Sequence, residues 1–243
     1  MSRAEPRGHV GGAGCLYVVA TPIGNLGDMS TRAIEVLRQV VLIAAEDTRH
    51  SAGLLAHFGI DTPMQALHEH NEREQAPRLV QRMVEEGLEL ALISDAGTPL
   101  VSDPGYRLVR LARAAGVSVV PVPGPSALIA ALSASGLPTD RFVFEGFLPP
   151  KAAARRARLE KLLTEPRTLI FYESSHRILD SLRDMAAVLG ASRHAVLARE
   201  LTKQFETILD DSLEALAGRV ETDADQRRGE LVVLVEGWCP PAG

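Results

Sequence analysis

Cysteine is almost absent from this chain. Cys15 and Cys239 are the only two among 243 residues, and no metal-ligand spacing accompanies them. Two distant cysteines of this kind favour reduced thiols over a disulfide and give no reason to expect a metal ion. Long hydrophobic runs are missing as well: residues 40–45 are far too few to span a bilayer, and residues 1–14 lack the apolar segment of a signal peptide. The sequence therefore predicts a cytoplasmic protein that contacts no membrane.

Motifs of common nucleotide enzymes are missing too. The chain has no GxxxxGK(S/T) loop, and no GxGxxG follows a predicted strand, which argues against a nucleotide phosphohydrolase. Its net charge of −5 argues against a general nucleic-acid binder, because phosphate neutralisation usually needs a basic surface. Any RNA contact is therefore expected to be local. With 46% hydrophobic and 23% charged residues, the chain is long enough for one large or two modest globular domains.

The most informative stretch is residues 88–105, LELALISDAGTPLVSDPG. Its first half is the near-continuous apolar run expected of a parallel strand covered on both faces, and a loop rich in Ser, Asp, Gly, Thr and Pro follows. Open α/β sheets bind ligands at the carboxyl ends of their strands, so this loop is a candidate ligand site. The alternative is an ordinary connection in which Ser102 or Asp103 caps the helix that runs to Ala115.

Two further loops of the same type follow predicted strands. The strand at residues 15–20 leads into residues 21–28, and the strand at 117–122 leads into residues 121–132, PVPGPSALIAAL. Pro125 would stand near the first helical position, with amides free to meet a ligand. Three such loops together predict a ligand site. The helix after the first loop is expected to be capped by Ser30 and to turn Ala33, Ile34, Leu37 and Val41 inward.

Seven short motifs follow one another along the chain. They are TPIGNLGD (21–28), EDTRHS (46–51), HEHNE (68–72), SDAGTPLVSDPG (94–105), PVPGPSA (121–127), FYESSHR (171–177) and RELTKQFE (199–206). In this order they resemble the motifs of the ribosomal small subunit methyltransferase I family, which belongs to the tetrapyrrole-methylase superfamily of S-adenosylmethionine enzymes. The resemblance covers roughly residues 15–237, and seven ordered motifs are far more specific than any one of them.

The resemblance implies both a fold and an activity. The fold is α/β with two domains, a parallel-sheet N-terminal domain and a mixed-sheet C-terminal domain, with the cofactor cleft between them. The activity is S-adenosylmethionine-dependent 2'-O-methylation of the ribose of a decoding-region cytidine in 16S rRNA within the 30S subunit, by a homodimer. Two alternatives stay open: a methyltransferase of the same fold with a tetrapyrrole or another small or protein acceptor, and a ribosome-assembly factor without turnover. The EDTRHS and FYESSHR motifs argue against the first.

The pattern of strands and helices agrees with two domains. Five βα-type units are predicted for an N-terminal domain at residues 15–124, and a mixed α/β domain for residues 125–238, with loose tails at 1–14 and 239–243. The third helix is expected to begin at Asn71, with Glu74 three residues on, and to stop at Gly87. C-terminal strands are predicted at 142–148, 168–173, 195–201, 206–210 and 230–236.

By resemblance, residues 95–98 hold the methionine part of the cofactor, residues 125–127 border it, residues 171–173 form a wall, and residues 199–202 bind adenine and ribose. The alternative for Phe171 and Tyr172 is plain strand core, because they continue an apolar run. The expected cofactor-binding residues are Pro22, Gly24, Asp95, Ala96, Gly97, Thr98, Ser102, Pro125, Ser126, Ala127, Tyr172, Glu173, Arg199, Leu201 and Thr202.

Candidate catalytic residues follow the second predicted strand. A ribose hydroxyl is a poor nucleophile at neutral pH, so a base or a polarising cation would help. Glu46, Asp47 and Arg49 fit these roles, since two carboxylates that end a buried strand are hard to explain by packing. Asp47 or Thr48 alternatively caps the next helix.

Candidate RNA contacts are few. In residues 151–161, KAAARRARLEK, a basic stripe formed by Lys151, Arg155 and Arg158 lies beside Arg156; the alternative is a solvated helix face over Leu159, Leu162 and Leu163. Lys203 either binds RNA phosphate or pairs with Glu206. His68 and His70 bind substrate or have a structural role. The expected substrate-binding residues are His68, Lys151, Arg155 and Lys203.

Overall fold

The structure is a computed structural model that describes residues 14–240. The chain divides into two compact units. Of the described residues, 14–22 and Leu26–Pro125 form the first unit, and Ile23–Asn25 and 126–240 form the second. Within residues 14–240, no helix is both long enough and apolar enough to cross a membrane.

The first unit contains a five-stranded sheet in which all neighbouring strands are parallel, as predicted. The strand order is β3-β2-β4-β1-β5. The strands are β1 Cys15–Val19, β2 Leu42–Ala45, β3 Met64–Ala66, β4 Glu89–Ile93 and β5 Ser118–Val122. The helices are α1 Thr31–Gln39, α2 Thr48–His57, α3 Glu72–Glu85 and α4 Tyr106–Ala114, with a 3-10 turn at Leu26–Asp28.

Strand β4 lies at the centre of this sheet, and helices cover both of its faces. Leu90 and Leu92 pack with α3 and α4, whereas Ala91 and Ile93 pack with α1 and α2. All four side chains are almost fully buried. Because a fully buried Leu or Ile contributes about 1.5–3 kcal/mol relative to an exposed one, an apolar run of this kind favours a strand with helices on both sides.

The start of α1 agrees with the prediction from the sequence, but its end does not. The hydroxyl of Ser30 caps the helix by accepting a hydrogen bond from the Ala33 amide at 3.1 Å. The prediction that Val41 faces inward is wrong, because α1 ends at Gln39 and Val41 is 61% exposed. Val40 is buried instead.

Asn71 precedes α3 as predicted, but its side chain does not cap the helix. It accepts a hydrogen bond from the His68 amide at 2.9 Å and donates one to the Ala66 carbonyl at 3.0 Å. Glu74 pairs with Arg78 and does not complete a capping box. Gly87, with a φ of +67°, follows the helix and allows the chain to reverse there.

The alternative interpretation of the loop after β4, in which Ser102 or Asp103 caps α4, is wrong. The helix begins after Gly105, later than a cap at Ser102 or Asp103 would place it. Glycine has no side chain to cap the helix, and Oε1 of Glu72 accepts hydrogen bonds from two amides of the first turn, at 2.8 and 3.1 Å. A residue at the start of α3 thus caps α4.

The second unit contains a mixed five-stranded sheet of order β6-β7-β10-β8-β9. Strands β6 and β7 are parallel, and the other pairs are antiparallel. The strands are β6 Phe142–Phe147, β7 Thr168–Ser174, β8 His194–Arg199, β9 Thr207–Ser212 and β10 Glu230–Val235. The helices are α5 Ala127–Ala134, α6 Ala152–Glu160, α7 Ile178–Leu189 and α8 Leu213–Thr222, with a 3-10 turn at Ala224–Arg227.

All five predicted strands of this unit occur, with ends within two residues of the prediction. One face of the sheet packs against α6, α7 and α8 in a single apolar cluster. Pro125 lies near the start of α5 as expected: Ser126 is the N-cap residue, and the helix starts at Ala127.

Candidate functional site

Two of the predicted ligand loops are joined at the carboxyl edge of the first sheet. The backbones of Thr21 and Gly97 exchange two hydrogen bonds, of 2.9 and 3.1 Å. The hydroxyl of Thr21 also donates to the carbonyl of Ser94 at 3.2 Å. Thr21 is fully buried, and so is most of the following Pro22. The loops that follow β1 and β4 are therefore held together by backbone contacts.

The loop that follows β4 has an unusual backbone. The φ angles of Gly97, Leu100, Ser102 and Gly105 are +81°, +73°, +67° and +118°. A left-handed conformation costs a residue other than glycine about 1–2 kcal/mol, so Leu100 and Ser102 are strained. Such strain persists only where neighbouring contacts enforce it, and it concentrates at functional sites. One such contact is the hydrogen bond that the Thr98 hydroxyl donates to the Pro125 carbonyl at 2.9 Å, which joins the third predicted loop to the second.

The carboxylates of Glu46, Asp95 and Asp103 influence one another after β2 and β4. The backbone amide of Asp47 donates to Oδ1 of Asp95 at 3.1 Å, which places Asp95 next to Glu46. Burial, followed by repulsion from Asp95, raises the pKa of Glu46. Burial also raises the pKa of Asp103 to about 6, with Glu46 and Asp95 adding to the effect and a hydrogen bond with Ser94 opposing it. A carboxyl group with a pKa close to neutrality is suited to accept a proton.

Asp47 and Arg49 stand at the start of α2. Oδ1 of Asp47 accepts a hydrogen bond from the Arg49 amide at 2.8 Å, so Asp47 is the N-cap residue that the sequence left as an alternative. This bond lowers the pKa of Asp47. The side chain of Arg49 is 93% exposed and its Nε lies 3.7 Å from Oδ1 of Asp47. The capping role and the exposed guanidinium leave both residues accessible to a substrate.

His68 follows β3 at the same edge of the sheet. The preceding residue, Leu67, donates its amide to the carbonyl of Ala45 at 2.7 Å, immediately before Glu46. Nδ1 of His68 is buried and has no hydrogen-bond partner within residues 14–240. The ring centroid of His70 lies 6.0 Å away. His68 therefore retains an unused polar atom beside the candidate catalytic residues.

In the second unit, the neighbouring residues Tyr172 and Glu173 have different surroundings. The hydroxyl of Tyr172 accepts a hydrogen bond from the Leu128 amide at 3.1 Å, so Tyr172 reaches the first turn of α5 beside Ser126 and Ala127. Phe171 is fully buried strand core. Glu173 is 3% exposed, and its carboxylate is bonded to Ser181 and Arg177. These contacts contradict a cofactor-binding role for the Glu173 side chain.

The loop after β8 is held by its own polar contacts. Arg199, 7% exposed, donates to the Phe205 carbonyl at 2.8 Å and to the Thr207 hydroxyl at 3.1 Å. Thr202 has a φ of +67°, and its amide donates to Oε2 of Glu206 at 2.5 Å. The hydroxyl oxygen of Thr202 is buried and lacks a partner among the residues described.

Lys203 forms ion pairs within the protein, as one of the two alternatives proposed, but its partners are not Glu206. Its ammonium lies 2.7 Å from Oε1 of Glu200 and 3.1 Å from Oε2 of Glu230. Leu201, two residues before Lys203, is 8% exposed. The structure favours an ion pair within the protein over a contact of Lys203 with RNA phosphate.

The basic stripe on α6 is mostly neutralised by acids of other elements. Arg155 is 4% exposed and bonded to Asp184 of α7 at 2.7 Å, so the expectation that it binds RNA is wrong. Arg156 bonds the same carboxylate, and Arg158 bonds Glu145 of β6. Lys151, the N-cap residue, remains exposed. Leu159 and Leu162 are buried as predicted, whereas Leu163 is 41% exposed.

Sequence reasoning missed the cap that Glu72 gives to α4 and the raised pKa of Asp103. Both residues stand in motifs that were singled out, HEHNE and SDAGTPLVSDPG, but these roles depend on residues far along the chain. Glu72 is bonded to residues 35 and 36 positions away. No group of three or more His, Cys, Asp or Glu side chains suited to a metal ion occurs in residues 14–240.

Comparison with known sequences finds one family consistently. Residues 15–217 match the model of the Tetrapyrrole (Corrin/Porphyrin) Methylases. The chain is 64% identical over 231 residues to "Ribosomal RNA small subunit methyltransferase I" of Pseudomonas aeruginosa, a match covering 95% of this chain and 82% of that protein. It is 59% identical over 224 residues to the protein of the same name from Escherichia coli O157:H7, covering 92% and 78% of the two chains.

Solved structures share the fold at low sequence identity. A cobalt precorrin-4 methyltransferase of cobalamin biosynthesis superposes with a TM-score of 0.64 at 16% identity, covering 91% of this chain and 94% of that one. A uroporphyrin-III C-methyl transferase from Thermus thermophilus, complexed with S-adenyl homocysteine, gives 0.61 at 18% identity, covering 91% and 97%. Diphthine synthase gives 0.67 at 17% identity, covering 91% and 90%. These similarities concern the fold alone.

Proposed function

Because the chain belongs to the ribosomal RNA small subunit methyltransferase I family, within the tetrapyrrole methylases, we propose that it 2'-O-methylates the ribose of a decoding-region cytidine in 16S rRNA within the 30S subunit. Methyl transfer to small-subunit rRNA rests on one observation, the 64% identity over 95% of the chain to a protein of that name. The proposal that the acceptor is the 2'-oxygen of a cytidine rests on the seven ordered motifs, in particular EDTRHS and FYESSHR.

The methyl donor is S-adenosylmethionine, whose sulfonium supplies an activated methyl group. Two features of the chain fit the binding of this donor. The loop that follows β4 holds Gly97 and Ser102 in left-handed conformations and leaves Ala96 exposed, which opens its backbone to a ligand. The buried hydroxyl of Thr202 has no partner among the residues described, and a bound ligand would satisfy it.

A set of loop residues holds the donor in this proposal. They are Pro22, Gly24, Asp95, Ala96, Gly97, Thr98, Ser102, Pro125, Ser126, Ala127, Tyr172, Arg199, Leu201 and Thr202. Rigid loops suit this task, because methyl transfer needs oxygen, carbon and sulfur nearly in line, and orientation supplies much of the acceleration. The protein needs no covalent nucleophile and, in our proposal, no metal.

Glu46, Asp47 and Arg49 act on the acceptor. The raised pKa of Glu46 makes its carboxylate a base that can accept the proton of the ribose hydroxyl, and Asp103 is a second candidate for this role. The exposed guanidinium of Arg49 is free to hold a phosphate or ribose oxygen through charge-assisted hydrogen bonds. His68 and Lys151 are the remaining proposed RNA contacts. With a net charge of −5, the protein is expected to read a local RNA shape.

A transfer assay tests this function directly. Labelled S-adenosylmethionine is incubated with the protein and 30S subunits from a strain that lacks the enzyme, and the modified nucleotide is mapped. The expected product is one 2'-O-methylcytidine in the decoding region. Subunits from a wild-type strain are the control, because their site is already methylated and they should accept no label. A methylated small molecule or protein would favour the alternative acceptor, and cofactor binding without transfer would favour an assembly factor.

The oligomeric state and location complete the proposal. We propose a homodimer that acts in the cytoplasm, where its ribosomal substrate lies; twofold symmetry is the commonest arrangement of soluble oligomers. Sedimentation at micromolar concentration that detects the monomer alone would contradict the dimer.

A further inference from the structure

Lys203 lies at the centre of a compact group of residues in the second unit. Its ammonium bonds Glu200 and Glu230, as described above, and its side chain is 29% exposed. Partial burial alone would lower the pKa of Lys203, but the hydrogen bonds to Glu200 and Glu230 outweigh it and the pKa is raised. The ammonium is therefore a stable, charged partner of both carboxylates.

Two glycines make room for this group. A Cβ at Gly24 would lie 2.4 Å from Cγ and 2.8 Å from Cε of Lys203. A Cβ at Gly229 would lie 2.1 Å from Oε1 of Glu200. Since Cγ lies near the root of the side chain, Lys203 cannot avoid a side chain at Gly24 without moving its ammonium away from the carboxylates. The stem of Lys203 thus packs against the segment Ile23–Asn25.

The same residues set the backbone of the loop at 200–206. Glu200 and Thr202 have left-handed φ angles of +51° and +67°. The Glu200 amide donates to the Glu230 carbonyl at 2.9 Å, and the Glu230 amide donates to Oε1 of Glu200 at 2.9 Å. The amide of Lys203 donates to the Glu200 carbonyl at 3.0 Å. Lys203 is thus bonded to Glu200 through its backbone and through its side chain, and Leu201 and Thr202 lie between these two residues in the chain.

We infer that Lys203 is a positioning residue: by joining Glu200, Glu230 and the Gly24 segment, it holds Leu201 and Thr202 in the geometry that binds the methyl donor. This role rests on the proposed S-adenosylmethionine-dependent function. It replaces a contact with RNA phosphate, which would require the ammonium to leave two carboxylates for an anion in solvent.

The first test compares cofactor and RNA binding. Lys203→Met keeps the stem and removes the charge, and it should raise the Kd of S-adenosylmethionine by about tenfold in calorimetry and raise its KM with little change in kcat. Lys203→Arg should recover most of the affinity. Arg183→Met, which breaks an exposed ion pair with Glu221, is the matched control and should change neither. The salt dependence of 30S binding should equal that of the wild type.

A double-mutant cycle tests the contact itself. Gly24→Ala should lower the melting temperature and weaken cofactor binding, partly through the clash with Lys203 and partly because alanine is strained at a φ of +153°. Only the part due to the clash should vanish in a Lys203→Ala background, so both effects should be smaller there than in the wild-type background. Should Lys203→Met fail to fold, Lys203→Arg and the Gly24 cycle decide the matter. Additive effects in the cycle would overturn the inference, and so would an unchanged cofactor Kd with a salt slope reduced by about 1. A wild-type protein that binds no S-adenosylmethionine would instead overturn the proposed function.

Discussion

The cap that Glu72 provides for α4 allows a sharp test of how the loop at 94–105 is held. Oε1 of Glu72 accepts hydrogen bonds from the amides of Arg107 and Leu108 at 2.8 and 3.1 Å. The residue at the N-cap position, Gly105, has no side chain to replace them. In Glu72→Ala, two amides lose their partner, and α4 begins without a cap directly after the strained loop.

The size of the effect follows from these contacts. Loss of a helix cap costs about 0.5–2 kcal/mol, and removal of a carboxylate from the positive end of a helix dipole costs about 0.3–1 kcal/mol. Glu72→Ala should therefore lower the free energy of unfolding by about 1–2 kcal/mol. For a chain of this length, that corresponds to a fall in melting temperature of about 2–8 °C. Glu72→Gln keeps an acceptor oxygen and should lose about half as much.

Thermal and chemical denaturation measure the loss, and Glu74→Ala is the matched control. Glu74 is in the same turn of α3 and has the same charge, but it only forms an exposed pair with Arg78, worth about 0.3–0.5 kcal/mol. We also expect Glu72→Ala, and not Glu74→Ala, to weaken S-adenosylmethionine binding, because the loop at 94–105 would lose its anchor to α4. Equal destabilisation by the two variants would refute the capping argument, and unchanged cofactor affinity would refute its link to the site.

Four further outcomes are expected. Burial raises the pKa of Asp103 to about 6, so its neutral form stabilises the fold; this contribution is complete below about pH 4 and is lost as the pH rises through 6. In urea unfolding, the free energy of unfolding of the wild type should therefore fall by about 1 kcal/mol more between pH 5 and pH 8 than that of Asp103→Asn. In Arg49→Ala and in Asp47→Ala, the rate of single-turnover methylation of 30S subunits should fall by about 30- to 700-fold, which corresponds to about 2–4 kcal/mol of transition-state stabilisation, with cofactor affinity intact. Only Asp47→Ala should also lower the free energy of unfolding, by about 1 kcal/mol, because Asp47 caps α2. Arg155→Met should cost about 3 kcal/mol in denaturation and leave the salt dependence of 30S binding unchanged, because this guanidinium is buried against α7. Gly97→Val should abolish cofactor binding in calorimetry, since a branched side chain is strained at a φ of +81°; normal binding would reduce Gly97 to a turn residue.

Interactions within a few residues were readable from the sequence. The Ser30 cap joins residues three apart, the apolar run at β4 needs only its own side chains to favour a buried parallel strand, and each predicted strand of the second unit occurs. These signals depend on local chemistry: a hydroxyl reaches the third amide after it, and consecutive apolar residues favour a strand covered on both faces. The motifs added the family, because seven patterns in order are specific even when their geometry is unknown.

Contacts between distant residues were decided by the tertiary structure. The sequence placed Arg155 on a basic stripe, but it does not reveal that Asp184, 29 residues away, lies opposite and neutralises it. It offered Glu206 as the partner of Lys203, whereas packing selects Glu200 and Glu230 and uses Gly24 to make room. Asp103 gains a pKa close to neutrality only because the fold buries it near Glu46 and Asp95. The physical reason is common to these cases: pairing energy and desolvation depend on distance in space and on burial, and the order of residues along one chain fixes neither.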